Sequence, residues 1–185
     1  MSPFEKTGEE VKWEGKIAQV RVDSFRHEDG EEVTREVIAH PGAVAILAHD
    51  EKHVWLVRQP REAVGEDGLL ELPAGKLEPT TGSAGDARGE PPLETAQREL
   101  AEEIGKAAET WERLSSFYTS PGFTDEEVEV YLATGLSDAG HAEAEENERI
   151  EVVPWPLDRL DEAIEDCRDS KSLIGLLWLR ARLAR

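Results

Sequence analysis

Between Arg98 and Gly105 the chain reads RELAEEIG, and three of its first six residues are glutamates: Glu99, Glu102 and Glu103. On a helix they occupy positions i, i+3 and i+4, so their Cβ atoms share one side at a spacing of about 5–6 Å. Like charges held that close repel, and something must offset the repulsion. A solvated helix face would let Arg98 pair with Glu94 or Glu102. A divalent cation would serve as well, since hard ions such as Mg2+ take oxygen ligands and a carboxylate cluster lowers its own repulsion by holding one. A basic partner laid over the acidic side is the third possibility.

The elements around the cluster limit what it can do. Downstream of a loop-like stretch rich in Gly, Thr, Ser and Pro, Thr80 to Pro92, the segment PLETAQRELAEEIGK predicts a helix. Pro92 suits a first turn, Leu93, Ala96, Leu100 and Ile104 recur at helical spacing, and Gly105 can end the helix. The acidic side is expected to face away from that apolar stripe. Upstream, two strands around a turn at Glu28-Asp29-Gly30 precede a second hairpin. There Gly42 to Ala48 reads as a buried central strand and Val54 to Val57 as its partner. A short strand over Leu69 to Leu72 leads into PAGKLEP. Two strands separated by Ser120-Pro121-Gly122 follow the helix, then an acidic loop, Ser137 to Glu148, and a strand over Ile150 to Val153. Helices are expected over Leu157 to Cys167 and Leu173 to Leu183, the latter with Ser170 or Ser172 as its N-cap. Strands mixed with few helices indicate an α+β or layered α/β domain with a small N-terminal antiparallel β appendage. The boundary is drawn after residue 40: 1–40 as the appendage, 41–185 as the main domain.

Charge removes whole classes of partner. Lys and Arg number 21 against 41 Asp and Glu, a formal net charge of −20. Such a chain is poorly suited to nucleic acid or to an anionic membrane surface. Charged residues make up 34% and hydrophobic ones 38%, the balance of a soluble domain, and no apolar run is long enough to span a bilayer. The N-terminal MSPFEKTGEEVKWEGK lacks the apolar core of a secretory signal. The lone Cys167 fits a reducing, cytoplasmic setting and a packing role.

The spacing of the glutamates decides among the three readings. From Glu90, seven residues lead to Arg98-Glu99-Leu100, then Glu102-Glu103 and Gly105, and LPAGK stands upstream. This resembles the Nudix box, G-x5-E-x7-R-E-U-x-E-E-x-G-U with U aliphatic, and the match from Glu90 to Gly105 holds seven positions. Two departures stand out. Fourteen residues, Lys76 to Gly89, separate Gly75 from Glu90 where the box has five, which sets Glu78 beside Glu90 as a competing acid. Lys106 occupies the last aliphatic position. A loop of nine extra residues costs little closure entropy.

The resemblance implies a Nudix-type α/β/α sandwich with a mixed sheet, and a helix that presents its glutamates to Mg2+ or Mn2+, two to three ions, gripping a pyrophosphate. By match, Glu99 and Glu103 are the main ligands, Glu102 a further or water-mediated one, and the carbonyl of Ala74 another. Gly75 lets the backbone approach closely. Arg98 orients or neutralises its carboxylate neighbours. VRQPRE (Val57 to Glu62), LELPAGK, and the SPG of Ser120 to Gly122 look like the ADP-ribose pyrophosphatase branch, a likeness over roughly residues 35–180. That branch implies a homodimer exchanging its N-terminal strands, and catalytic acids in an E-x-E pattern before the last strand. Here the pattern is Glu146-Asn147-Glu148, with Glu146 as general base and Glu148 as metal ligand, and Glu143 and Glu145 close enough to compete. For the substrate, a small nucleoside diphosphate sugar, Arg61 is the best phosphate cation. Arg58 and Arg35 follow it, Glu71 suits ribose hydroxyls or an arginine, and Ser120, Gly122, Phe123 and Trp13 would lie near the nucleotide. The implied reaction is hydrolysis of ADP-ribose to AMP and ribose 5-phosphate. Another nucleotide sugar or dinucleotide, such as GDP-mannose or NADH, and a non-catalytic nucleotide-binding module are the alternatives.

Overall fold

The computed structural model describes residues 3–77, 91–140 and 149–184. The 76–89 insertion beyond Leu77, Glu78, Glu90 and the acids Glu143, Glu145, Glu146 and Glu148 therefore lie outside the described residues. The chain divides into two units.

One unit comprises Met1–Gly42 with Phe117–Glu127. It is built on an antiparallel sheet of β1 (Phe4–Glu14), β2 (Gln19–His27) and β3 (Glu32–Ala39), in that order. Asp29-Gly30 makes the β2–β3 turn, with Gly30 at φ 87°, a conformation that favours glycine, and its N–H donating to the His27 carbonyl at 2.9 Å. Sequence alternation indicates only two strands here. β1 escapes that reading because all but one of its residues are exposed, so it carries no buried face whose period could be seen. The 117–127 segment is joined to β3 by the Ile38 N–H to the Phe123 carbonyl at 2.8 Å and by the Thr124 hydroxyl to the Ile38 carbonyl at 2.7 Å.

The other unit, Ala43–Ser116 with Val128–Arg185, holds a seven-stranded mixed sheet and the helices. Its strands are β4 (Ala43–His49), β5 (His53–Arg61), β6 (Glu66–Glu71), β7 (Ala74–Lys76), β8 (Lys106–Tyr118), β9 (Glu127–Asp138) and β10 (Glu151–Pro156). The order is β10-β5-β4-β9-β8, with β6 on β5 and β7 on β4. β4 pairs parallel with β9 and antiparallel with β5 and β7. Val44 to Ala48 have no exposed surface, as expected of a strand covered on both faces. β10 runs through Pro154 and Pro156 at the sheet edge, where a missing N–H breaks no ladder.

Helix α1 (Pro92–Ile104) covers one face of the sheet: Ala96, Leu100 and Ile104 join Val44, Ile46, Ala48, Val57, Tyr131 and Ala133 in one cluster. Their i, i+4, i+8 spacing makes the stripe, and burying Leu100 fully contributes about 2 kcal/mol. Gly105 ends the helix in the left-handed region at φ 66°. Leu93, expected in the stripe, is 37% exposed. α2 (Leu160–Asp166) and α3 (Ser170–Leu183) follow, with α3 lying against β4 from the opposite face. A Cβ at Gly175 would lie 2.7 Å from Leu72 Cδ1 and 3.9 Å from Leu47 Cδ1, so that glycine sets the close approach of α3. The N-cap of α3 is Asp169, not Ser170 or Ser172; its carboxylate accepts the Ser172 N–H at 3.0 Å. An aspartate one residue earlier reaches the N3 donor in the usual capping geometry, and Ser172 itself occupies that N3 position.

Candidate active site

α1 brings its glutamates against the short strand β7. Glu103 Oε2 accepts the Ala74 N–H at 3.0 Å. Glu99 lies over the neighbouring residue: a Cβ at Gly75 would sit 2.1 Å from the Glu99 carboxyl carbon and Oε1. A side chain there would have to displace the Glu99 carboxylate. The expectation that the acidic side faces away from the apolar stripe is corrected for two residues. Glu103 is 7% exposed and stands on the buried side with Leu100 and Ile104, and the Glu99 side chain is 13% exposed. In a helix with 3.6 residues per turn i+4 neighbours share a face, so Glu99 and Glu103 both lie toward β7. Glu102 stays on the wetter flank. Arg98 Nη1 reaches Glu102 Oε2 at 2.6 Å and Glu99 Oε1 at 2.9 Å, so one guanidinium offsets two of the three charges.

The donor set fits a hard divalent cation. Glu99 and Glu103 bring carboxylate oxygens to one recess beside Ala74 and Gly75. Among the described residues no group of three His, Cys, Asp or Glu side chains converges on one point. The chain's own carboxylates on α1 would thus hold an ion together with main-chain or further acidic oxygen.

Next to this recess lies a buried charge network. Glu71, 1% exposed at the end of β6, receives Arg61 in a two-pronged contact, Nε to Oε1 at 2.6 Å and Nη2 to Oε2 at 2.9 Å. Lys171 of α3 donates to the same Oε2 at 2.6 Å and also pairs with Asp169 at 2.9 Å. Burial pushes the Glu71 carboxyl up, but the hydrogen bond from Arg61 and the charge and hydrogen bond of Lys171 outweigh it, holding the carboxyl below its ordinary value. The Arg61 guanidinium is raised, first by its hydrogen bond to Glu71, with the charges of Asp169 and Glu103 adding to it. Arg61 is thereby within electrostatic reach of an α1 carboxylate.

The same unit therefore gathers Arg61, Glu71, Ala74, Arg98, Glu99, Glu102 and Glu103. Arg58 faces elsewhere: it donates to the Gly68 carbonyl at 3.1 Å and pairs with Asp166. It also lines a cavity of about 660 Å³ between β5, β6 and the start of β10, together with Gln59, Gly68, Arg149 and Glu151. None of the α1 carboxylates lines that cavity. In the first unit, Arg35 on β3 donates to its neighbour's carbonyl, Thr34, at 2.8 Å. Ser120 and Gly122 form the turn that ends at Phe123, whose N–H donates to the Ser120 carbonyl at 3.1 Å; Phe123 is 54% exposed and Trp13 59%. Sequence reasoning missed Lys171 and Asp169. A signal existed, since a lysine in the first turn of a helix opposes the macrodipole and calls for a nearby anion.

Comparison with known proteins agrees with this geometry. The profile of the NUDIX domain matches residues 39–174. An ADP-ribose pyrophosphatase of Mycobacterium tuberculosis is 45% identical over 82% of this chain and 70% of its own. A methanol dehydrogenase activator of Bacillus methanolicus is 38% identical over 92% and 89%. An ADP-ribose pyrophosphatase of Bacillus subtilis is 37% identical over 97% and 95%. A solved structure described as an ADP compounds hydrolase shares the fold, with a TM-score of 0.81 over 100% of this chain and 96% of that one, at 22% identity. The glutamates that α1 turns toward Ala74 and Gly75 are thus found inside a matched domain that takes in most of the sequence, and the chain belongs to the Nudix family.

Proposed function

We propose that the chain hydrolyses ADP-ribose to AMP and ribose 5-phosphate, with Mg2+ or Mn2+ held by Glu99 and Glu103. The observation that carries the chemistry is the seating of these two carboxylates against Ala74 and Gly75. The substrate rests on the relatives named ADP-ribose pyrophosphatase. Bound divalent ions, two or three in this reading, would supply neutralisation of the pyrophosphate and a water of lowered pKa. The remaining work falls to side chains. Arg61 offers its outer N–H edge to a phosphate oxygen while Glu71 holds its inner edge. Arg98 pairs with both Glu99 and Glu102 and offsets part of their charge. Glu102 and Glu148 complete the ion ligands, and Glu146 takes the proton as water adds to phosphorus and the bridging P–O bond breaks. Glu146 and Glu148 carry these roles on their E-x-E pattern alone. Arg58, Arg35, Ser120, Gly122 and Phe123 keep a substrate-binding role on the sequence resemblance alone.

A relative at 30% identity is named for GDP-mannose, which favours a second reading: the same reaction on another nucleoside diphosphate derivative. We further propose a homodimer through the 1–40 strands, supported by the exposed Phe4, Val11, Trp13 and Ile17 on that unit. A cytoplasmic setting fits the free Cys167. No helix among the described residues is long and apolar enough to cross a membrane.

The test is purified protein with Mg2+ against ADP-ribose, GDP-mannose, NADH, diadenosine polyphosphates and 8-oxo-dGTP, with EDTA as control. AMP from ADP-ribose, abolished by EDTA and lowered more than about a hundredfold in Glu103→Gln, is the expected result, because a lost ligand removes several kcal/mol of charge stabilisation. Retained activity in Glu103→Gln would move the metal site off α1.

A further inference from the structure

Arg61 and Glu71 do not stand alone; a third charged group on a different element completes them. Glu71 has two oxygens. Arg61 takes both, and Lys171 shares Oε2 from the opposite element, α3. Lys171 is itself largely buried, with 15% of its side chain exposed. It occupies the second position of α3, where the helix macrodipole disfavours a cation, and it is held there by Asp169 and Glu71. A buried cation in an unfavourable helix position adds little stability by itself. Its effect on its neighbours is larger. Without Lys171, Arg61 would stand against two carboxylates, Glu71 and Asp169, and the group would carry a net negative charge toward an incoming anion. With it, two cations balance the two carboxylates. The α3 cap adds rigidity: Ser172 Oγ donates to Asp169 at 2.5 Å and accepts the Leu72 N–H at 2.7 Å, which ties the residue after Glu71 to the same helix turn.

We propose that Lys171 is a positioning residue for substrate binding: it shares the Glu71 carboxylate so that Arg61 is fixed in orientation and keeps positive charge for a phosphate of the substrate. This deepens, and rests on, the reading of the site as one for a nucleoside diphosphate derivative. The role is in binding. Lys171 touches neither the α1 carboxylates nor the reacting atoms.

The experiment compares wild type, Lys171→Met and Lys171→Arg in the full-length protein. Steady-state kinetics are run on whichever panel substrate the wild type hydrolyses best, and the Arg61 Nε–H resonance, assigned with Arg61→Lys, is followed by NMR. Lys171→Met should raise KM about tenfold, the scale of losing a supporting partner of a binding group. It should leave kcat within about twofold, and move the Arg61 Nε–H resonance. Lys171→Arg should restore both. An unchanged KM, a fall in kcat alone, or a lowered melting temperature with the Arg61 resonance unmoved would each overturn the proposal. If Lys171→Met does not fold, Lys171→Gln, which keeps a donor to Glu71 but no charge, is read by the same criteria. The substrate reading fails separately. Should the wild type prefer a compound other than ADP-ribose, that assignment falls while the variant-to-wild-type ratio still judges Lys171. Should the wild type hydrolyse nothing, the Arg61 resonance and the shift in melting temperature with ADP judge it instead.

Discussion

Gly75 is the residue on which the proposed ion site depends. A methyl group there would lie 2.1 Å from the Glu99 carboxylate, so Gly75→Ala must displace either Glu99 or the β7 main chain. The expected outcome is a folded protein whose Mg2+ requirement is shifted to concentrations about tenfold or more higher, the scale seen when an ion's surroundings are disturbed. A metal titration of activity checks it, and an unchanged Mg2+ dependence would mean that Glu99 is not a ligand. Glu71 makes a prediction about pH. Its carboxyl is held below the ordinary value in the folded protein, so the unfolded chain binds that proton more readily. The stabilisation it provides is therefore full above the ordinary glutamate value, about 4.3, and is lost as pH falls through the folded value. The stability gap between wild type and Glu71→Gln, measured by urea unfolding, should narrow from pH 7 to pH 3; a constant gap would contradict the direction of the shift.

At the scale of elements, two helices do different work. α1 turns two of its glutamates to the side of its core stripe: Ala96, Glu99, Leu100 and Glu103 share a face by their i, i+3 and i+4 spacing, and Glu103 accepts from β7. α3 supplies support. Its N-cap, Asp169, accepts from the Ser172 backbone, the Ser172 hydroxyl and Lys171. Asp169→Ala should cost about 1 kcal/mol or somewhat more, lowering the melting temperature by roughly 2–4 °C per kcal/mol for a chain of this size. Asp169→Asn, which keeps the capping oxygen, should lose less than half as much. Thermal unfolding of both variants distinguishes a cap from a charge effect.

For the molecule as a whole, the three-stranded sheet of β1, β2 and β3 raises the question of assembly. Phe4, Val11 and Trp13 on it and Ile17 between β1 and β2 are 45–67% exposed, and a small sheet seldom carries so many uncovered apolar groups without a partner. The proposed homodimer predicts a mass by light scattering of about twice the 20.6 kDa of one chain. Removing residues 1–40 should then yield a monomer. A wild-type mass of one chain would discard the exchange of strands. The charge of −20 bears on the same scale. It leaves a nucleotide to be received by local cations such as Arg61, not by the overall field.

Much of this was legible before any coordinates. The spacing of Glu99, Glu102 and Glu103, the Gly105 stop, the apolar run at Ala43–Ala48 and the Asp29-Gly30 turn are all short-range signals, and local sequence carries short-range physics. Glu99 and Glu103 could be set on one face, because i and i+4 share a face on any helix; their naming as ion ligands rests on the resemblance to the Nudix box. What sequence could not carry was the third dimension of the same residues. Nothing local to Glu103 says that it is buried against Ala74, nothing local to Arg61 says that its partner is Glu71 and not Glu62 or Glu66, and nothing local to Lys171 says that it completes that pair from a hundred residues away. Those facts follow from how α1 and α3 close on the sheet, with Gly75 and Gly175 as the points of nearest approach. Contact between residues far apart in the chain is set by packing of whole elements, and only the tertiary structure records it.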